Sequence, residues 1–229
     1  MHRKLAISDI HGCAKTFVAL LDSLAVTQSD TLYLLGDFID RGPDSKGVLD
    51  QVIRLQQEGY QVHCLRGNHE QLMLNAFTDR KDETTWKKNG GMEMLKSYGV
   101  AHQRDLPQSC IDLVNSFGYY IETEGYILVH AGLDFIRQDP LYDTRSMMWI
   151  RDWYHYIRYD WLGDRIIIHG HTPVQQQEIE NQFSKLSTQQ YLDIDNGCVF
   201  APIAGGRELG KLCCFDITNR SLFFQKYVE

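Results

Sequence analysis

The sequence predicts a layered α/β fold, two β-sheets packed together with helices outside, and three observations carry this. Short apolar runs alternate with amphipathic stretches through the first third of the chain, in β-α-β-α-β-α order. The last part of the chain returns mainly strand-like runs. The 229 residues, 43% hydrophobic and 23% charged, suffice for one large soluble domain with an ample core.

Leu5–Ser8 reads as a buried strand and Ala14–Ala25 as an amphipathic helix, with Phe17, Leu20, Leu21 and Leu24 at helical spacing. Thr31–Leu35 is a second strand. Pro43 then opens a helix through about Gln57, which Gly59 ends. Gln61–Leu65 is a third strand, and a further helix begins near Glu70. Sheets of this kind bind ligands beyond the carboxyl ends of their strands, where Asp9, Asp37 and Asn68 fall. From Phe77 to Gly118 the pattern turns to polar helical segments without linker composition. This reads as a helical insertion or cap at about 77–118 beside the site, within a single domain spanning 1–229. Tyr119–Thr123 and Tyr126–Val129, separated by Glu124-Gly125, make a hairpin leading to His130. Arg165–Ile168 is a buried strand ending at His169-Gly170-His171, and Tyr191–Ile194, Lys211–Phe215 and Ser221–Tyr227 read as a closing meander.

A formal charge of −7 argues against a nonspecific nucleic-acid binder, which needs a basic stripe. It does not exclude an anionic substrate, because two divalent cations add four positive charges at one place. No segment approaches the ~18 apolar residues of a membrane span, and the first apolar stretch is too short for a signal peptide. The six cysteines show no CxxC spacing, so they are read as reduced thiols of a cytoplasmic protein.

Five glycine-flanked segments carry the chemistry: Asp9-Ile10-His11-Gly12, Gly36-Asp37-Phe38-Ile39-Asp40-Arg41-Gly42, Gly67-Asn68-His69-Glu70, His130-Ala131-Gly132 and His169-Gly170-His171-Thr172. Taken singly, a strand-end Asp is a helix cap more often than a ligand; the ordered set carries the reading. Asp9 and His11 can converge on one ion, Asp37 can bridge two, and Asn68, His130 and His171 can serve the second. His169 is ambiguous, and His171 is preferred. Two ions about 3.5–4 Å apart share and deprotonate a water and clamp an in-line displacement. Carboxylate and imidazole donors suit manganese first, with iron and zinc as alternatives.

This motif set resembles the phosphoprotein phosphatase branch of the calcineurin-like metallophosphoesterases, particularly its small bacterial and phage members. Trp86 with Asn89-Gly90-Gly91, Trp149-Ile150-Arg151 and Asp195-Asn196-Gly197 extend the match over most of the chain. The resemblance implies a four-layer α/β/β/α sandwich with the site at the top of the central sheets. It further implies that Asp9, His11 and Asp37 hold the first ion, and Asp37, Asn68, His130 and His171 the second. His69 then corresponds to the general acid, with Asp40 fixing its imidazole. Arg41 and Arg151 correspond to guanidinium clamps on the phosphoryl oxygens, and Arg66 and Glu70 to supports of the metal loop. The four tryptophans receive no role. Serine stands at position 8 where the family usually has glycine, with little effect expected on metal affinity. The chain ends soon after Tyr227, so regulation by dedicated protein subunits is not expected.

The resemblance implies a phosphomonoesterase acting on phosphoserine and phosphothreonine in proteins, with phosphotyrosine or a small phosphoester as a further substrate. The alternative is a symmetrical diadenosine tetraphosphatase, disfavoured by Glu70 and by the modest length. Direct attack by a bridging hydroxide is expected, without a covalent phosphoenzyme. Cys13 lacks the following arginine of a cysteine phosphatase.

Overall fold

A computed structural model describes residues 2–203 and 208–229. Two sheets form its centre. The first has five strands in the order β3-β2-β1-β8-β9, with β1 (Lys4–Ile7), β2 (Thr31–Leu34) and β3 (Gln61–Cys64) parallel. In it β8 (Lys211–Asp216) pairs antiparallel with β1, and β9 (Ser221–Lys226) with β8. The second sheet has the order β4-β5-β6-β7, from β4 (Tyr120–Thr123), β5 (Tyr126–Val129), β6 (Ile166–His169) and β7 (Tyr191–Asp193). Here β5, β6 and β7 run parallel and β4 closes one edge antiparallel.

Alternation along the strands sorts side chains into apolar layers. Leu5 and Ile7 face helices α1 (Ala14–Ser23) and α2 (Ser45–Gln57), packing on Phe17, Leu20, Val48 and Val52. Ala6 faces the other way, into a middle layer where Cys213 and Phe215 of the first sheet meet Leu128, Ile168 and Leu192 of the second. Ile127, Val129 and Ile167 line the far face beneath Met147 of α7 (Thr144–Trp149), Trp153 and Leu162 of α8 (Tyr159–Leu162). The order is therefore α/β/β/α. The segment 77–118 is helical, holding α4 (Arg80–Trp86), a π-helical turn (Lys87–Gly91), α5 (Met92–Tyr98) and α6 (Gln108–Asn115). Among the described residues no helix is long and apolar enough to cross a membrane.

Two sequence expectations require correction. Pro43 does not open α2; Asp44 caps it, its carboxylate accepting the Gly47 N–H at 2.8 Å, and the helix starts at Ser45. The closing strands are not one meander either. β7 joins the second sheet beside β6, while β8 and β9 return to the first. Which sheet a strand enters is a long-range choice, and local alternation carries no information about it.

Candidate metal centre

The carboxyl ends of the parallel strands in both sheets converge. Asp9 and His11 follow β1, Asp37 and Asp40 follow β2, and Asn68 and His69 open α3 (Asn68–Asn75) after β3. His130, His171 and Asp195 follow β5, β6 and β7. Backbone bonds latch these turns together. Ile10 and His11 N–H donate to Asp37 C=O at 3.1 and 2.8 Å, and Gly170 N–H to His130 C=O at 2.8 Å. His11, Asp37, Asp40, Arg41 and His171 all adopt left-handed backbone, with φ of 45°, 50°, 70°, 65° and 77°. Such conformations cost about 1–3 kcal/mol each outside glycine and persist only where surroundings over-determine them.

Two groups of three donors result, each with its ligand atoms within 4.8 Å of one another: His11, Asp37 and His69, and Asp37, His130 and His171. Asp37 belongs to both, which places its carboxylate between them. His11 and His130 each donate Nδ1–H to a carbonyl, of Ile39 and Leu35 respectively, at 2.9 Å. A carbonyl only accepts, so the Nε2 lone pairs face Asp37, at 3.3 and 3.5 Å. The Asn68 amide oxygen lies 2.9 Å from His171 Nδ1 and 3.2 Å from His130 Nε2.

Burial dominates the electrostatics. It pushes the Asp37 carboxyl up to about 7, and it raises Asp195, also to about 7, with repulsion from Asp37 adding to it. Asp9 is raised by burial and by its neighbours Asp195 and Asp37. Burial lowers His130 to about 4 and His171 to about 2, leaving both neutral. His69 is lowered likewise, by burial and then by His11. His171 Nε2 and His69 Nε2 are buried without any hydrogen-bond partner. A pocket of neutral imidazole lone pairs, an amide oxygen and crowded buried carboxylates fits divalent cations of the manganese, iron and zinc kind.

The remaining expected residues distribute unevenly. The Asp9 carboxylate lies in neither donor group; it accepts the His171 N–H at 3.2 Å on both oxygens. His69 Nδ1 donates to Asp40 Oδ2 at 2.8 Å. Arg41 Nη1 donates to His11 Nε2 at 2.6 Å, and Arg151 Nη1 to Thr172 Oγ1 at 2.8 Å. Glu70, fully buried, accepts N–H from Asp37, Phe38 and Gly67 at 2.9 Å each, so it holds two ligand turns at once. Arg66 is turned away. Its guanidinium donates to Gln71, Tyr119 Oη and the Val114 and Asn115 carbonyls at the end of α6, a helix terminus that attracts a cation. His169 donates to the Tyr154 hydroxyl or accepts from it at 3.1 Å, outside both donor groups. Ser8 is not in the left-handed region and needs no glycine; its hydroxyl donates to Ile194 C=O at 2.7 Å, across to the other sheet. Asp195 had no role assigned from sequence, although an Asp two residues beyond a buried strand repeats the pattern of Asp9.

A family model described as calcineurin-like phosphoesterase matches residues 2–200. The bis(5′-nucleosyl)-tetraphosphatase PrpE [asymmetrical] of Anoxybacillus flavithermus is 28% identical, over 85% of each chain. Serine/threonine-protein phosphatase 1 of Salmonella typhimurium is 41% identical over 86 residues, 37% of each chain. The structure of a protein serine/threonine phosphatase from Saccharomyces cerevisiae superposes with a TM-score of 0.64 at 15% identity, over 100% of this chain and 81% of that one.

Proposed function

Since the chain belongs to the calcineurin-like phosphoesterase family, we propose that this hydrolase cleaves bis(5′-nucleosyl) tetraphosphates at a two-ion centre, with manganese as the ion and the cytoplasm as its setting. The observation that carries the substrate is a groove leaving the centre at Arg41. It measures about 510 Å³, and its lining includes Arg41, Lys87, Lys88, Asn89, Met92 and Phe200, with one carboxylate, Glu93, beside the three cations. Arg41 lies over the Phe200 ring, 5.6 Å from its centroid. Cations followed by an aromatic and an apolar side chain suit a phosphate chain ending in a nucleoside, and the size is that of a small-molecule site. Lys87, Lys88, Asn89 and Met92 come from the helical segment 77–118, which thus acts as a cap setting specificity. Relatives aligning over 85% of both chains carry the tetraphosphatase name, which supports unequal products, a nucleoside triphosphate and a monophosphate.

Bound between the donor groups, the ions would supply charge neutralisation and an activated water. Asp37 would serve both, His11 one, and Asn68, His130 and His171 the other, with Asp9 fixing the His171 turn. Arg41 and Arg151 orient the scissile phosphate. Asp40 fixes His69 through Nδ1, so a proton on Nε2 points into the site for the leaving oxygen. The phosphate anion supplies the negative charge that favours this protonated form.

This reading favours the tetraphosphate substrate that Glu70 and length disfavoured, with an asymmetrical cut in place of the symmetrical one expected from the sequence. Phosphoprotein hydrolysis is the second reading, favoured by the 41% identical stretch. The test compares kcat/KM for diadenosine tetraphosphate with phosphoserine and phosphotyrosine peptides in manganese, with Asp37→Asn as blank and products separated by chromatography. ATP and AMP in equal amounts, at least tenfold faster than peptide turnover, is the expected result. Peptide preference would overturn it.

A further inference from the structure

We propose that Trp86 is a positioning residue for proton transfer, its indole holding the Asp40 carboxylate in the orientation that fixes His69, while the turn after it holds Arg41. The proposal rests on the reading of His69 as proton donor given above.

Trp86 and Asp40 are both fully buried, and 46 residues separate them in the chain. The indole Nε1–H donates to both Asp40 oxygens, at 3.0 and 3.1 Å, so it straddles the carboxylate. On its other side Oδ2 receives His69 Nδ1 at 2.8 Å. A buried carboxylate needs donors in place of water, and with the indole gone Asp40 would be free to rotate about its terminal bond. His69 would lose its fixed partner although no atom of the imidazole had changed.

The turn after Trp86 is shaped for this contact. A Cβ on Gly91 would stand 2.5 Å from the indole ring atoms, so only glycine lets the ring lie flat there. Gly90 has φ +111°, its C=O accepts the Arg41 N–H at 3.3 Å, and a Cβ on it would meet that nitrogen at 2.5 Å. One turn therefore touches the indole on one side and the left-handed Asp40-Arg41 backbone on the other. Trp86 also belongs to the apolar cluster that α1 and α2 line, but apolar packing alone would not place an N–H on a buried acid.

The test is a double-mutant cycle between Trp86→Phe and His69→Asn, on an alkyl phosphate and on 2,4-dinitrophenyl phosphate, whose leaving group needs no proton. Trp86→Phe should lower kcat about 10- to 100-fold on the alkyl ester, within the range of a disturbed general acid. On the dinitrophenyl ester the loss should stay under about threefold, and KM should be unchanged on both. In the His69→Asn background Trp86→Phe should cost nothing further. If His69→Asn itself shows no leaving-group dependence, the proton-donor reading fails. If it does, and Trp86→Phe is additive or equal on both esters, the positioning proposal is overturned. A readout independent of turnover is the Trp86 indole N–H resonance, which should move upfield in Asp40→Ala; no movement would also overturn it. Should Trp86→Phe fail to fold, benzothienylalanine at position 86 replaces the N–H by sulfur in the same volume.

Discussion

Metal affinity should depend on pH through the carboxylates rather than the histidines, which inverts the usual expectation for an imidazole-rich site. The perturbation is a drop from pH 7 to pH 6. His130 and His171, at about 4 and about 2, are neutral at both values and offer lone pairs throughout. Asp37 is different, because burial raises it to about 7 in the metal-free protein. Its neutral, protonated form is favoured below that value, and a cation must displace the proton. The ionised fraction falls from about one half at pH 7 to about one tenth at pH 6, a loss of roughly fivefold in affinity or about 1 kcal/mol. Asp195, also raised to about 7, shares the site and deepens the effect if its proton is displaced too. An ordinary carboxylate near 4 would give no change across this interval. Calorimetric titration with manganese in buffers of different ionisation heat reads both the affinity and the protons released. Release of about half a proton per displaced carboxyl at pH 7 is the expected result. Affinity that is flat between pH 6 and 8, with no proton release, would refute the reasoning.

Asp30→Asn should lower stability by about 1–3 kcal/mol at neutral pH, because the buried carboxylate accepts Arg3 Nη2 at 2.7 Å, Arg3 Nε at 3.0 Å and Thr27 N–H at 2.9 Å. Arg3 holds this carboxyl well below the usual range, so the difference from the parent should be present above about pH 4 and vanish as acid protonates it. Denaturant melts at pH 7 and below 4 check the sign. Arg66→Ala should cost about 1–3 kcal/mol by releasing the α6 carbonyls, with manganese affinity unchanged within twofold. A tenfold affinity loss would restore Arg66 to the metal loop.

Much of this was legible because the candidate ligands sit one to four residues beyond strand ends, which is a local feature. Strand positions came out within a residue or two for the same reason. Contacts between distant segments were not legible. Nothing in the chain around Trp86 announces Asp40, and nothing around Arg66 says which face of the turn it takes. The left-handed backbone of His11, Asp37 and His171 was equally silent, since it follows from tertiary latches rather than residue preference. The preference between the competing substrates rested on chain length and on Glu70, whose contacts are all to backbone N–H groups and say nothing about what binds.

Ser8 donates to Ile194 across the gap between the sheets, and His130 on one sheet faces Asp37 on the other. The centre is therefore a gauge of the spacing between two walls that the apolar middle layer holds together. Trimming a middle-layer side chain such as Phe215, which belongs to neither donor group, would let that spacing drift while each wall keeps its own hydrogen bonds. Activity should thus fade before the fold does. Over evolutionary time the interior of the sandwich then answers to the chemistry at its rim, and its residues are free to exchange only in volume-preserving pairs.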